Sequence, residues 1–322
     1  MEALAKCCAG LDVHKALVVC TLLKECPTGE IVKETREYST FRIELERLAK
    51  WLKDAEVELV VMESTGIYWK TVYETLEDSE VKTFVVNARH VKNVPGRKTA
   101  VPTGRQDVGD SEWLAELARC GLLRASFIPP RDFRQLRLLT RYRRKLSGYL
   151  AGEKNRINKV LDDGGVRLGC VVSDIDGVSA RNMIKALIEG QEMPKEIAEL
   201  AVGRLKAKKP EIMMALEGRL SDRHRFLLSR IQSHIVWLEK QIKEIDGQVV
   251  AAMKPYRKEL GLLQTIPGID KNSAAMLLAE IGVDMSRFGN KDRLSSWAGM
   301  CPGNNESAGK KRVVAPVKGM CM

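Results

Sequence analysis

Four acids and one serine stand where their residue types could do chemistry. Asp12 ends an apolar stretch in Gly10-Leu11-Asp12-Val13-His14-Lys15, and Glu63 ends another, residues 57–62. A carboxylate closing an apolar strand needs a reason, because burying it unpaired is costly. Asp107 and Asp110 are three apart, so at a helix start they share one face. Acids converging at the ends of neighbouring strands and an adjacent helix form an oxygen cage that suits Mg²⁺. Two such ions can clamp the attacking and leaving oxygens of a phosphodiester. Taken singly, each acid reads as a cap or a surface charge; the ordered set points to a site. Ser307 lies in the small, polar tract Asn304-Asn305-Glu306-Ser307-Ala308-Gly309, beside Lys310, Lys311 and Arg312. A hydroxyl could approach a phosphate closely there, although by itself a serine in a Gly/Asn loop is a turn residue.

The elements that must position these groups can be read from periodicity. Residues 7–13 and 16–23 are apolar and β-branched enough for two strands, and residues 31–38 give a third after the turn Pro27-Thr28-Gly29. Helical spacing follows over 41–53, then a buried strand over 57–62, a helix over 68–76 and a buried strand over 81–86. A loop over 94–104 leads to a helix over 108–122. This order predicts an α/β domain with a mixed sheet over residues 1–128. Pro129-Pro130 marks its end. Residues 129–255 read as a basic helical and coiled-coil-like region. Its seam Ile231, Ile235, Leu238, Ile242, Ile245 and Val249 steps 4-3-4-3-4, as a packing element or a dimerisation arm. Residues 256–322 form a third, mainly α region. Its turn Thr265-Ile266-Pro267-Gly268-Ile269, before a helix over 273–281, resembles half of a helix-hairpin-helix.

Charge narrows the partner. Lys+Arg 53 against Asp+Glu 42 gives a net charge of +11, which favours an anionic partner. Ten basic residues fall within 131–160, among them Arg131, Arg134, Arg137, Arg141, Arg143, Arg144 and Lys145, and only Asp132 and Glu153 oppose them locally. With apolar residues at three- and four-residue steps, this is an amphipathic helix whose basic face fits a nucleic-acid backbone. No stretch reaches 18 apolar residues, so no membrane span is expected. The eight cysteines form no CxxC pair, and no secretory signal is expected. Reduced thiols in a bacterial cytoplasm, with nucleoid association when DNA is bound, are the expectation.

The strand order with Asp12, Glu63, Asp107 and Asp110 resembles the RuvC/RNase H-like domain of the DEDD transposases of bacterial insertion-sequence family 110. The C-terminal blocks 262–269, Ala279-Glu280-Ile281-Gly282, Arg287-Phe288, 297–303 and Glu306-Ser307-Ala308-Gly309-Lys310 resemble that family's second domain. One departure concerns the third acidic cluster. Family members usually read Gly-Arg-Lys-Thr-Asp-x-x-Asp, whereas Gly96-Arg97-Lys98-Thr99 is followed here by Ala100, and Asp107 and Asp110 come later. The resemblance implies a transposase that excises and inserts its own element by strand exchange. It implies Mg²⁺ (two ions) on the four acids, and Ser307 as the nucleophile in a composite site. It further implies DNA partners (element ends and target), an element-encoded guide RNA, and a homo-oligomer, dimer or tetramer. A metal-dependent structure-specific nuclease and a non-catalytic nucleic-acid-binding protein are the alternatives left open by the residues themselves.

The last ten residues, 313–322, match no family pattern. One coding of them that degeneracy allows, shifted by one base, reads Ser-Gly-Arg-Thr-Arg-Lys-Gly-Asn-Val-Tyr, close to what the family carries there. The expectation is a frameshift near Arg312 that truncates the chain, leaving it poorly ordered after about Gly303 and weak or inactive as a transposase.

Overall fold

The computed structural model describes residues 5–64, 66–96 and 106–300, together with the backbone of 306–307 and 310–311. The chain divides into two compact units, residues 1–128 and 129–322.

The first unit is built on a five-stranded mixed sheet. Strands β1 (Cys7–Val13), β2 (Leu17–Glu25) and β3 (Ile31–Ser39) form an antiparallel meander. Helix α1 (Arg42–Asp54) leads to β4 (Leu59–Glu63), and α2 (Trp69–Asp78) leads to β5 (Thr83–Val86). The strand order is 3-2-1-4-5, with β4 parallel to β1 and β5 parallel to β4. A short helix, α3 (Ala88–Asn93), follows; nothing in the periodicity announced it. Helix α4 (Gln106–Arg119) completes the unit. The sheet is covered on both faces, which is why β1 and β4 read as near-continuous apolar runs. Leu11, Leu45, Leu48, Leu52, Met62 and Leu76 pack on the α1/α2 side. Cys8, Val61, Leu114, Ala115 and Leu117 pack on the α4 side. Edge strand β3 is exposed along most of its length and carries Lys33, Glu34, Arg36 and Glu37, charges that discourage edge-to-edge pairing.

Strands β4 and β5 each begin two residues later than the apolar runs suggest, for one shared reason. Val57 donates its backbone N–H to Leu52 O, and Val81 donates to Leu76 O, after Glu56 and Glu80 adopt φ of 57°. Each pair closes the preceding helix in a Schellman turn, so the first apolar residue serves the helix end rather than the ladder.

The second unit is helical. Its frame is α5 (Arg131–Asp163), about 50 Å long at 1.5 Å per residue. Between α5 and α10 (Asp222–Ala252) come α6 (Leu168–Val171), α7 (Val178–Ile188), α8 (Pro194–Glu199) and α9 (Lys209–Ala215). Then follow α11 (Arg257–Gln264), α12 (Lys271–Ile281) and α13 (Lys291–Trp297). Arg143 pairs with Asp246, Glu153 with His234 and Asp163 with His224, so α5 and α10 run antiparallel. This places the seam expected from the 4-3 spacing. Ile231, Ile235, Leu238 and Val249 are buried within the unit, and α10 lies along α5 of the same chain. Those four seam residues thus serve as a packing element within the chain. One core joins the C-terminal half of α5 to α6–α9 and the start of α10; a second joins Phe133 and Leu136 to Val249, Leu260, Ala274 and Leu278. Two short strands, β6 (Glu306–Ser307) and β7 (Lys310–Lys311), pair antiparallel. Among the described residues no helix is long and apolar enough to cross a membrane.

Candidate active site

Asp12 is the penultimate residue of β1 and Glu63 the last of β4. Leu11 is in register with Met62 across the parallel pair, so the two acids continue adjacent strands side by side. Side chains alternate faces along a strand. Asp12 therefore shares the face of Cys8 and Gly10, and Glu63 that of Leu59 and Val61, which is the α4 side of the sheet.

Helix α4 can lie there because residue 10 is glycine. A Cβ on Gly10 would come within 2.2 Å of Ser111 O and 2.4 Å of Ala115 N, so the helix backbone rests directly on β1. A buried hydroxyl chain fixes the register. Thr21 Oγ1 lies 2.7 Å from Ser111 Oγ and 3.0 Å from Thr35 Oγ1, and Ser111 Oγ also donates to Val108 O at 2.9 Å. Both Thr21 and Ser111 are fully buried. Asp107 sits in the first turn of α4 and Asp110 just beyond it, directly before Ser111. Helix side chains tilt toward the N-terminus, which carries both acids toward the strand ends.

The electrostatics place these charges near Asp12. Its side chain is 18% exposed, and His14 Nε2 lies 3.0 Å from Oδ2. Burial pushes the Asp12 carboxyl up, His14 opposes that, and the charges of Asp110 and Asp107 push it up further. The charges of Asp107 and Asp110 thus reach Asp12 at the end of β1, and β4 delivers Glu63 to the same edge of the sheet. Among the described residues, no three His, Cys, Asp or Glu side chains stand close enough to form a closed metal cage. The donor set is hard carboxylate oxygen, which fits a hard divalent cation. His14, Gly10, Thr21 and Ser111 had no assigned role from the sequence. Their only signals there are a glycine and a threonine inside apolar strands and a serine beside Asp110.

Of the other expected site residues, Ser307 falls on β6 opposite Lys310 of β7, with Lys311 beside it; the three side chains lie outside the described residues. The segment 97–105 that precedes the displaced acids also lies outside them. The basic helix is less free than a local charge count implies, because acids from distant sequence meet it. Arg137 Nε donates to Ala279 O at 2.9 Å and its Nη2 to Glu280 O at 2.7 Å, capping the carbonyl end of α12. Burial holds the Arg137 guanidinium below its usual pKa. Arg141 forms a two-pronged pair with Glu280 at 2.8 and 2.9 Å, and Arg143 pairs with Asp246. These three arginines tie helices together. Arg131, Arg144 and Lys145 are exposed, and Arg134 is half-buried and donates to Pro129 O.

The first unit is thus a mixed α/β sheet of order 3-2-1-4-5, with acids at the ends of two adjacent parallel strands and on the covering helix. Comparison with known proteins names its family. A transposase family model of the DEDD type, IS110, matches residues 9–164, and the transposase model of the IS116/IS110/IS902 family matches residues 260–319. Together they span about two thirds of the chain, which belongs to the IS110 family of transposases. Two solved structures of Thermus thermophilus RuvC, one described with a Holliday junction substrate, cover 37% of this chain and 99% of their own. They share 14% and 12% identity, at TM-scores of 0.29 and 0.28. No curated protein matches the chain significantly.

Proposed function

We propose that this transposase cleaves and rejoins DNA strands with Asp12, Glu63, Asp107 and Asp110 as its metal-binding acids and Ser307 as its nucleophile. The observation that carries the reading is geometric: Asp12 and Glu63 stand side by side at the ends of adjacent parallel strands, and α4, which carries Asp107 and Asp110, rests on β1 at Gly10. Carboxylates brought to one edge repel one another, and a cation relieves that repulsion. When bound, Mg²⁺ would neutralise charge developing on the phosphate oxygens. The four carboxylates would hold that ion. The Ser307 hydroxyl attacks phosphorus and gives its proton to solvent as the new O–P bond forms, while the sugar oxygen of the broken P–O bond leaves and takes up a proton from solvent as a free hydroxyl. The bond energy is retained in the serine ester, so rejoining needs no external energy source. Residues 129–255 serve as the helical arm and 256–322 as the domain that brings the serine. DNA ends and target, an element-encoded guide RNA and a homo-oligomer are the proposed partners.

The test uses a plasmid carrying the element ends, read on denaturing gels for nicks and for protein–DNA adducts. Wild type forms both. Ser307→Ala forms no adduct and Asp12→Asn forms neither product, while both keep duplex affinity within about twofold. Cleavage by Ser307→Ala would move the chain to the water-attacking nucleases. Full activity of Asp12→Asn would end the metal-site reading.

A further inference from the structure

One flank of the α5–α10 pair presents exposed rings beside cations. On α5, Tyr142 and Tyr149 are 52% and 51% exposed; on α10, Trp237 is 50% and Phe226 67% exposed. Tyr142 and Tyr149 are seven residues apart, and Phe226, Arg230, His234 and Trp237 step by four, four and three, so each set lies on one helical stripe. Between the stripes runs a groove of about 410 Å³, with Tyr142, Tyr149, Gly152, Arg156, His234 and Trp237 among its walls. A Cβ added at Gly148 or Gly152 would meet nothing within 4 Å, so the α5 wall is open backbone at those positions. The His234 ring stacks on Trp237 at 5.9 Å, which widens the flat surface.

Cations are threaded through these rings. Lys145 Nζ lies 5.9 Å over Tyr149, and the Arg230 guanidinium 5.6 Å over Phe226. The carboxylate in the groove, Glu153, is buried and already satisfied by Arg156 at 2.8 Å and His234 at 3.3 Å. Glu244 lies two turns from Trp237 along α10. Large apolar rings left in water mark a contact surface. Rings alternating with Lys and Arg suit the bases and phosphates of a single strand, because every base has a face to stack and every linkage a charge to pair. A duplex keeps its base faces inside and gains nothing from the rings. A second copy docking by the same face would set Lys145, Arg156 and Arg230 against their own equivalents, with little acid to answer them.

We propose that this groove binds an unpaired stretch of nucleic acid, with bases stacked on Tyr149 and Trp237 and phosphates along Lys145 and Arg230. The inference rests on the nucleic-acid reading of the chain, and is independent of the acidic site and of Ser307.

The experiment measures binding of the full-length protein to labelled oligo(dT) and oligo(rU) of about 15 nucleotides, and to a duplex of equal length, by fluorescence anisotropy. The Tyr149→Ala/Trp237→Ala double variant should lose at least about tenfold in single-strand affinity and stay within about twofold on duplex. Trp237→Phe, which keeps a ring, should retain single-strand binding. Preference for oligo(rU) would identify the strand as RNA, and preference for oligo(dT) as displaced DNA; either supports the groove. Should the double variant unfold by circular dichroism, Trp237→Ala alone carries the test. Unchanged single-strand affinity in a folded variant overturns the proposal. So does conversion of an oligomer to a monomer in sedimentation with single-strand affinity unchanged, which would make this face a self-association surface. A wild-type protein that binds neither strand type would instead remove the nucleic-acid reading itself.

Discussion

Gly10→Ala is the sharpest test of how the acids are brought together. The new Cβ would sit 2.2 Å from Ser111 O, 2.4 Å from Ala115 N and 2.9 Å from Leu114 Cβ. Two of the three atoms are backbone, so no rotamer change relieves them; α4 must retreat from β1 by about 1 Å to restore ordinary contact. Overpacking of this kind costs about 1–3 kcal/mol. The retreat also stretches the Thr21–Ser111 hydrogen bond, now 2.7 Å, worth about 1 kcal/mol. A loss of about 2–4 kcal/mol should lower the melting temperature by roughly 6–15 °C for a unit of this size. Asp107 and Asp110 ride on the same helix, so their distance from Asp12 changes with it. Scanning calorimetry with and without Mg²⁺ reads both effects: wild type gains stability from the ion, and Gly10→Ala melts lower and gains less. A variant melting within about 1 °C of wild type would refute the close packing of α4 on β1. A variant that melts lower yet keeps the full Mg²⁺ response would refute the coupling of α4 to the site.

The second unit carries its own tests. Asp176 accepts from Arg181 at 2.7 and 2.8 Å and from Lys154 at 2.6 Å, tying α5 to the start of α7, while Arg181 also pairs with Glu239 of α10. Burial alone would raise this carboxyl, but the hydrogen bonds from Arg181 and Lys154 outweigh it and hold the pKa below the usual 3.8. Because the folded value is the lower one, the stabilisation is complete above about pH 4 and is lost as pH falls through the folded value. Asp176→Asn should therefore lower the melting temperature at pH 7 by an amount that shrinks below pH 4; a constant difference would contradict the linkage. Arg137→Ala should cost about 1–3 kcal/mol by uncapping α12, whereas Arg144→Ala and Lys145→Ala should stay within about 0.5 kcal/mol. On nucleic acid, the Arg144→Ala/Lys145→Ala pair should flatten the log–log salt slope by roughly one per lost phosphate contact, and an unchanged slope would return that face to solvent.

Much of the first unit was legible because its signals are local. Apolar runs bounded by turns gave the five strands, and 3.6-residue spacing gave α1, α2 and α4, since backbone hydrogen bonding and two-sided burial act along the chain. The acids stood out because a carboxylate ending an apolar strand contradicts its surroundings. The sequence also carried both family blocks, and with them the class of protein. Tertiary structure alone decided what depends on residues far apart in the chain. The contact of Gly10 with Ser111 and Ala115 spans about a hundred positions, and no pattern near residue 10 announces that a helix must rest there. The basic helix shows the same limit in reverse. Counted locally, Arg137, Arg141 and Arg143 face almost no acid, yet the fold brings Glu280, Asp246 and the carbonyl end of α12 to them. Charge can be read from sequence, but whether an arginine serves a ligand or another helix depends on which partner reaches it first, and that is a property of the packed chain.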